Sequence, residues 1–178
     1  MGREQGFTPQ RLIMGVLISR QELIPTVIEH LVTLYGPLLD CSEPKVFSYT
    51  DYYDEEMDGK PLRFYLSFKE LVDPSCLAAI KRQTDDLEKL FCEQGNRRVN
   101  LDPGLLSLAN LILATTKNRA HRIPLRDGIY AELTLLYANK QFQSFPWTYA
   151  DYKSEVVKEL FSSWRESYRK QMKQEGPF

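Results

Sequence analysis

The sequence predicts an α+β fold with a ferredoxin-like βαββαβ core, extended by a short helix, a C-terminal β-hairpin and a C-terminal helix. Two observations support this prediction. Short apolar or alternating segments, typical of strands, are interspersed in the first hundred residues with two longer segments of helical periodicity. Their order is strand, helix, strand, strand, helix, strand, which is the order of a split βαβ unit.

The chain begins with a predicted strand, helix and second strand. The continuous apolar run from Leu12 to Ile18 indicates a buried strand. Ser19 and Glu22 form a capping-box pattern, which predicts that a helix starts there and continues to the stop signal at Gly36. Lys45 to Tyr53 alternates between two faces, as a strand does, after a loop.

Three further elements complete the predicted core. Leu62 to Phe68 alternates in the same way and forms a hairpin with the preceding strand. Asp73 followed by Pro74 is typical of an N-cap with proline at the first helical position, so we expect a helix that stops at Gly95. Arg97 to Leu101 returns to an extended pattern.

The segment after this core is harder to assign. The pair Pro103-Gly104 predicts a break, and apolar residues between Leu105 and Thr116 recur at spacings of three and four, which suits a short buried helix. A strand is the open alternative, because periodicity separates short apolar runs poorly. Ile129 to Tyr137 and Phe142 to Phe145 then form the predicted C-terminal hairpin.

The chain ends in a predicted helix. Thr148 and Asp151 resemble a capping box, and apolar residues follow at helical spacing as far as Met172. We expect residues 1–178 to form a single domain with a frayed N-terminus and a frayed C-terminal tail, QEGPF.

Charge, cysteine content and apolar runs limit the partners and the location that the sequence predicts. The 23 basic and 24 acidic residues nearly cancel, so no global field attracts nucleic acid or an anionic membrane. Three widely spaced cysteines form no zinc-binding pattern and are typical of the reducing cytoplasm. The longest apolar run, Leu105 to Ala114, is too short to cross a membrane. We therefore expect a cytoplasmic protein without a membrane anchor, whose oligomeric state the sequence leaves open.

Candidate binding groups concentrate between Ala114 and Arg122. Two hydroxyls, three cations and one imidazole lie within these nine positions, and such groups donate hydrogen bonds to phosphate or carboxylate oxygens. The open alternative is a solvated helix end, where cations complement the helix dipole. The predicted ligand-binding residues are Arg98, Asn100, Thr115, Thr116, Lys117, His121 and Arg122.

A second set is acidic. Asp51, Asp102 and Glu132 lie within or beside predicted strands, where a carboxylate needs a cation or hydrogen bonds to remain ionised. They are candidates for a divalent metal site, or they pair with arginine and lysine. Asp102, Glu132 and His121 are also the candidates for acid-base catalysis.

Six short segments together resemble an uncharacterised prokaryotic family, the domain of unknown function 4416. They are TDYYDEEM (50–57), RRVNLDPG (97–104), LATTKN (113–118), HRI (121–123), DGIYAELTL (127–135) and FPWTYADY (145–152). The resemblance spans nearly the whole chain and implies no reaction. Some members carry an automatic label of GTP-binding protein, but this chain has no G-x-x-x-x-G-K-[ST] phosphate loop.

The sequence thus favours a protein that binds a small anionic, phosphate-containing ligand, with a divalent metal as a candidate cofactor and with turnover left open. The alternative is a non-catalytic interaction or RNA-binding module, which would use the aromatic hairpin and Arg97-Arg98. The first hypothesis requires that the strand around Asn100, the segment around Lys117 and the strand around Glu132 converge in the fold.

Overall fold

The computed structural model describes residues 3–50, 57 and 59–175. This part of the chain has an α+β structure built on a large antiparallel sheet. The strands are β1 Gln10–Ile18, β2 Leu38–Cys41, β3 Lys45–Val46, β4 Leu62–Val72, β5 Cys92–Glu93, β6 Asn96–Arg97, β7 Val99–Leu106, β8 Asn110–Thr115, β9 Arg122–Pro124, β10 Tyr130–Ala138 and β11 Gln141–Ser144. The helices are α1 Ile24–Tyr35, α2 Leu77–Leu90 and α3 Glu155–Glu175.

The main sheet has the strand order β11-β10-β8-β7-β1-β4-β2, and every pair in it is antiparallel. Strand β1 lies near the centre, between β4 and β7. Strands β3 and β9 add short pairings to β4 and β10, and β5 and β6 form a separate small hairpin. The two strands near the middle of the described sheet, β1 and β7, are buried along nearly their whole length.

Helices α1 and α2 cover one face of the sheet. Alternate residues of β1, from Leu12 to Ile18, point to this face and are fully buried. They pack with Val27 and Leu31 of α1 and with apolar residues of α2. Gly36, with a φ of 84°, ends α1 at the predicted stop, because glycine adopts this left-handed conformation without strain.

Helix α3 covers the opposite face. Phe161 and Trp164 project from it onto Ile13, Tyr65 and residues of β8 and β10. The predicted apolar stripe therefore faces the sheet. The helix starts later than predicted, at Glu155, so Thr148 and Asp151 do not cap it. Thr148 instead bonds the carbonyl of Thr134.

The predicted short helix within residues 105–116 is wrong, and the open alternative, a strand, is correct. The chain continues as β7 to Leu106, turns and returns as β8. The hydroxyl of Ser107 accepts hydrogen bonds from the backbone amides of Ala109 and Asn110, which closes the turn without a glycine. The predicted break at Pro103-Gly104 is therefore also wrong.

Other differences concern the ends of elements. Helix α1 is preceded by a 3-10 turn at Gln21–Leu23 without a side-chain cap, so the predicted capping box at Ser19 is wrong. Of the strand predicted from Lys45 to Tyr53, residues 45–50 are described and form a strand only at Lys45–Val46, whereas residues 51–53 lie outside the described residues. The predicted loop before it contains β2. Helix α3 includes Gln174, which we expected to fray.

Candidate functional site

A polar cleft opens where β7 and β8 separate. Strand β8 pairs with β7 only from Leu111 to Leu113, although β8 extends to Thr115 and β7 begins at Val99. From Gly104 towards the start of β7 at Val99 the two strands diverge. A cavity of about 330 Å³ lies in the space between them. The polar residues that line it are Lys81, Asp85, Glu88, Lys89, Arg97, Asn100, Asp102, Thr115, Thr116, Lys117, Glu132 and Tyr149.

Helix α2 occupies the strand edge that the separation exposes. The backbone amide of Leu101 donates to Glu88 Oε1 at 2.7 Å, and its carbonyl accepts from Lys81 Nζ at 2.9 Å. Unpaired backbone groups are costly in a buried position, so these two side chains replace the missing strand. Both backbone groups of Leu101 on this side are thus bound by α2.

The same two side chains belong to a chain of ion pairs. Lys81 Nζ lies 2.9 Å from Asp85 and 3.9 Å from Glu88, and Arg97 lies 3.0 Å from Glu88. Burial raises the pKa of Glu88, and the charges of Lys81 and Arg97 oppose this shift. The floor of the cleft is therefore a paired network, in which each carboxylate faces a cation.

Glu132 projects into the cleft from β10. Its side chain is only 1% exposed, and its Oε2 accepts from Arg122 Nε at 2.7 Å and contacts His121 Nε2 at 2.9 Å. Its other oxygen, Oε1, is buried and has no hydrogen-bond partner among the described residues. Arg122 in turn donates to the carbonyl of Lys117 and to the hydroxyl of Tyr149.

Asp102 lines the cleft from β7 and pairs with Arg63 of β4 at 3.0 Å. Arg63 reaches it across Gly15 of β1, which is the partner of Asp102 in the sheet register. Burial alone would raise the pKa of Asp102, but the charges of Arg63 and Lys81 outweigh it and lower that pKa. Arg63 also donates to Asp151 at 2.8 Å.

The mouth of the cleft is formed by the end of β8. Thr115 is partly buried, whereas Thr116 and Lys117 are exposed. The Thr115 hydroxyl accepts from the backbone amide of Lys117 at 3.2 Å, which stabilises the bend that follows β8. Burial and the charge of Glu132 raise the pKa of Tyr149 to about 12, so its hydroxyl keeps its proton.

The structure thus brings three predicted groups of residues together and separates others from them. Asn100 and Asp102, Thr115 to Lys117, and Glu132 line one cleft. His121 and Arg122 lie behind Glu132 and hold it, and the buried Arg98 donates to the carbonyl of Met57. Asp51 lies outside the described residues.

A larger cavity, of about 540 Å³, lies between β3, β4 and α3. Its lining surface is mostly apolar, its buried charged residues Arg63 and Asp151 pair with each other, and Tyr65 donates to Asp151. Glu43, Lys45 and Glu159 lie exposed at its edge. The β7–β8 cleft is the stronger candidate for a binding site, because the predicted residues converge there and Glu132 Oε1 has no partner among the described residues.

Comparison with known families agrees with the resemblance seen in the sequence. Residues 8–168 match the model of a domain of unknown function, DUF4416. The chain belongs to this family. No curated protein and no solved structure matches the chain.

The sequence reasoning missed the contribution of α2 to this DUF4416 cleft. Lys81, Asp85 and Glu88 lie at positions i, i+4 and i+7, so they form a polar stripe on one side of the helix. Lys81 and Glu88 are buried, which is unusual for charged residues. A charged stripe beside the apolar one was the signal that would have identified them.

Two further findings bear on chemistry. Among residues 3–50, 57 and 59–175, no group of three or more His, Cys, Asp or Glu side chains is placed to hold a metal ion. None of the helices in this part of the chain is long and apolar enough to cross a membrane. The described carboxylates of the cleft act as partners of arginine and lysine.

Proposed function

We propose that this DUF4416 protein binds a small anionic, phosphate-containing ligand in the β7–β8 cleft. The convergence of Asn100, the segment Thr115 to Lys117 and Glu132 on one cavity of about 330 Å³ is the observation that supports it. Cavities of this size suit small ligands.

The donors at the mouth suit an anion. Thr116 and Lys117 are exposed there and provide a hydroxyl and an ammonium group. Tyr149 accepts from Arg122 through its oxygen, so its own proton remains for an acceptor in the cleft. Phosphate oxygens are acceptors of this kind.

The carboxylates of the cleft do not oppose this proposal. Asp85 pairs with Lys81, Glu88 with Lys81 and Arg97, Asp102 with Arg63, and Glu132 with Arg122. These four carboxylates face four cations, so an added anion at the mouth meets no large negative field. The proposal covers binding and assigns neither a metal nor a reaction.

A thermal-shift series tests it. Inorganic phosphate and simple phosphate esters at concentrations up to 100 times their Kd should stabilise the protein by about 2.7 kcal/mol, which is a rise in Tm of roughly 5–10 °C for a domain of this size. Lys117→Ala should reduce the rise, and Lys173→Ala, an exposed lysine in the last turn of α3, is the control. Equal shifts in both variants would remove Lys117 from the site.

The alternative is a non-catalytic interaction or RNA-binding module. It receives less support, because Phe64, Tyr65 and Phe68 in the second strand of the predicted aromatic hairpin are buried, although Tyr49 in the first segment is exposed. Arg97 pairs with Glu88, and Arg98 is 4% exposed. Binding of single-stranded RNA oligonucleotides with no response to phosphate esters would favour it.

We also infer a ferredoxin-like arrangement for the central strands. Helix α1 connects β1 to β2 with β4 between them, and α2 connects β4 to β7 with β1 between them. Two such interleaved units form a split βαβ arrangement. We infer a cytoplasmic location as well, because Cys41, Cys76 and Cys92 are free and exposed thiols.

A further inference from the structure

We propose that the ligand carries a hydroxyl or amino group beside its phosphate, and that Glu132 Oε1 accepts a hydrogen bond from it. The ligand class is then a phosphorylated polyol, sugar or amino sugar. This inference rests on the proposed function and goes further, since it specifies the group that the ligand carries besides its phosphate.

The unpaired oxygen of Glu132 is the first observation. Glu132 is 1% exposed and lines the cleft, and its Oε2 already has two partners, Arg122 and His121. Its Oε1 has none among the described residues. A buried carboxylate oxygen without a donor is costly, so a donor from a ligand in the cleft would relieve that cost.

The fixed position of Glu132 is the second observation. Arg122 is held by the carbonyl of Lys117 at 2.8 Å and by Tyr149 at 2.9 Å. The ring of His121 stacks on Trp147, with centroids 4.9 Å apart and an angle of 12° between the planes. The carboxylate therefore cannot easily rotate to exchange its oxygens, and Oε1 stays directed away from both partners.

The chemistry of Oε1 selects the ligand group. A carboxylate oxygen only accepts hydrogen bonds, so an oxygen of phosphate or of another carboxylate placed against it is repelled. The positive charge of Arg122 already balances Glu132 at 2.7 Å. A neutral hydroxyl or an amino group is thus the complement of Oε1, whereas the phosphate belongs with Lys117 at the mouth.

Arg122 links the two ends of the site. Its Nε binds the carboxylate of Glu132, while its Nη1 binds the carbonyl of Lys117, the residue proposed to contact phosphate. The acceptor and the cation are therefore held in one fixed relation by one side chain. A ligand that carries both groups would satisfy both ends, and a ligand with one group would satisfy only one.

The test is a ligand series measured by calorimetry on the whole protein. The probes are inorganic phosphate, propyl phosphate, glycerol 3-phosphate, ribose 5-phosphate and glucosamine 6-phosphate. At least one hydroxylated ester should bind about 10-fold or more tightly than propyl phosphate, because a hydrogen bond to a charged group contributes that much. This comparison uses only the wild-type protein and does not depend on any variant folding.

Glu132→Gln is the variant, and Glu155→Gln, an exposed carboxylate at the start of α3 outside the cleft lining, is the control. In Glu132→Gln the amide oxygen faces Arg122 and the amide nitrogen replaces Oε1, so an acceptor becomes a donor. For the amino ester, whose ammonium group cannot accept, the ratio of affinities over propyl phosphate should then fall to about 1. For a hydroxylated ester the ratio should fall but stay above 1, because a hydroxyl can accept from the amide. Both ratios should be retained in Glu155→Gln.

The outcomes separate the two proposals. Equal affinities for propyl phosphate and every hydroxylated or amino ester in the wild-type protein would overturn the role of Glu132 and leave phosphate binding intact. Retention of the full ratio in Glu132→Gln would overturn it as well. If none of the five probes binds, the proposed function itself is overturned.

Discussion

Replacement of Gly15 by alanine should disturb the centre of the sheet and the cleft beside it. A Cβ atom at this position would lie 2.5 Å from Tyr152 Oη and 3.2 Å from Arg63 Nη1. Neither side chain can move easily, because Tyr152 is fully buried and Arg63 is held by Asp102 and Asp151. The substitution must therefore displace one of them.

The expected loss of stability follows from these contacts. Overpacking of a buried site costs about 1–3 kcal/mol, and loss of the charged hydrogen bond from Arg63 to Asp102 adds about 1.5–3 kcal/mol. A combined loss of about 3 kcal/mol corresponds to a fall in Tm of roughly 6–12 °C for a domain of this size. Calorimetry or thermal unfolding followed by circular dichroism measures it.

A second substitution tests the cause. Tyr152 Oη is buried without a hydrogen-bond partner among the described residues, so Tyr152→Phe should be neutral or stabilising. The same change removes the atom nearest to the added Cβ. The double variant should therefore recover part of the loss caused by Gly15→Ala. A fall in Tm below about 2 °C for Gly15→Ala, or no recovery in the double variant, would refute this reasoning.

Three further predictions concern the cleft and the core. Lys81→Met should lower the free energy of unfolding in urea by about 1–3 kcal/mol, because it leaves the carbonyl of Leu101 without its donor and Asp85 without its cation, while Glu88 keeps Arg97; a loss below about 0.5 kcal/mol would contradict the assigned network. In the folded protein the pKa of Asp102 lies below its ordinary value of 3.8. Its pairing with Arg63 therefore stabilises the fold fully above pH 3.8, and this contribution is lost as the pH falls through the pKa of the folded state. The stability difference between wild type and Asp102→Asn should accordingly stay constant from pH 7 to about pH 5 and shrink below pH 3.8, whereas a difference independent of pH would exclude the pairing. Phe161→Ala should cost about 3–5 kcal/mol in the same urea assay, since this fully buried ring packs α3 on the sheet, and a cost below 1 kcal/mol would contradict that packing.

Periodicity predicted the long elements well. The apolar run at Leu12 to Ile18 is the central strand, and the alternating residues from Leu62 belong to the strand beside it. An element that buries one face needs apolar residues at its own period, so its type can be predicted from the sequence without knowledge of its neighbours. The apolar stripe of α3 was predicted for the same reason.

The pair Pro103-Gly104 shows why the next segment was assigned incorrectly. Pro103 lies where β8 no longer pairs with β7, so its missing amide hydrogen removes no bond on that side. Gly104 is needed for close packing, since a Cβ there would lie 2.6 Å from Leu113 Cδ2 and 2.8 Å from the carbonyl of Ile112. Proline and glycine usually end a strand, but here the surrounding structure accommodates both within β7.

The site was predictable only in part. Asn100, Lys117 and Glu132 were selected because polar groups interrupt apolar segments, and the sheet register brings them to one cleft. The charged stripe of α2 marks Lys81 as unusual, but the sequence does not show what Lys81 binds. This binding depends on the separation of two strands, which leaves Leu101 for the helix to bind.

The hydrogen bonds between α2 and Leu101 have a consequence for the kinetics and heat of binding. Because Lys81 and Glu88 take both backbone groups of Leu101, the gap between β7 and β8 exists before any ligand arrives. A preorganised cavity requires little ordering of the chain on association. Ligand entry should therefore be fast and accompanied by a small change in heat capacity, since little additional apolar surface is buried in the process.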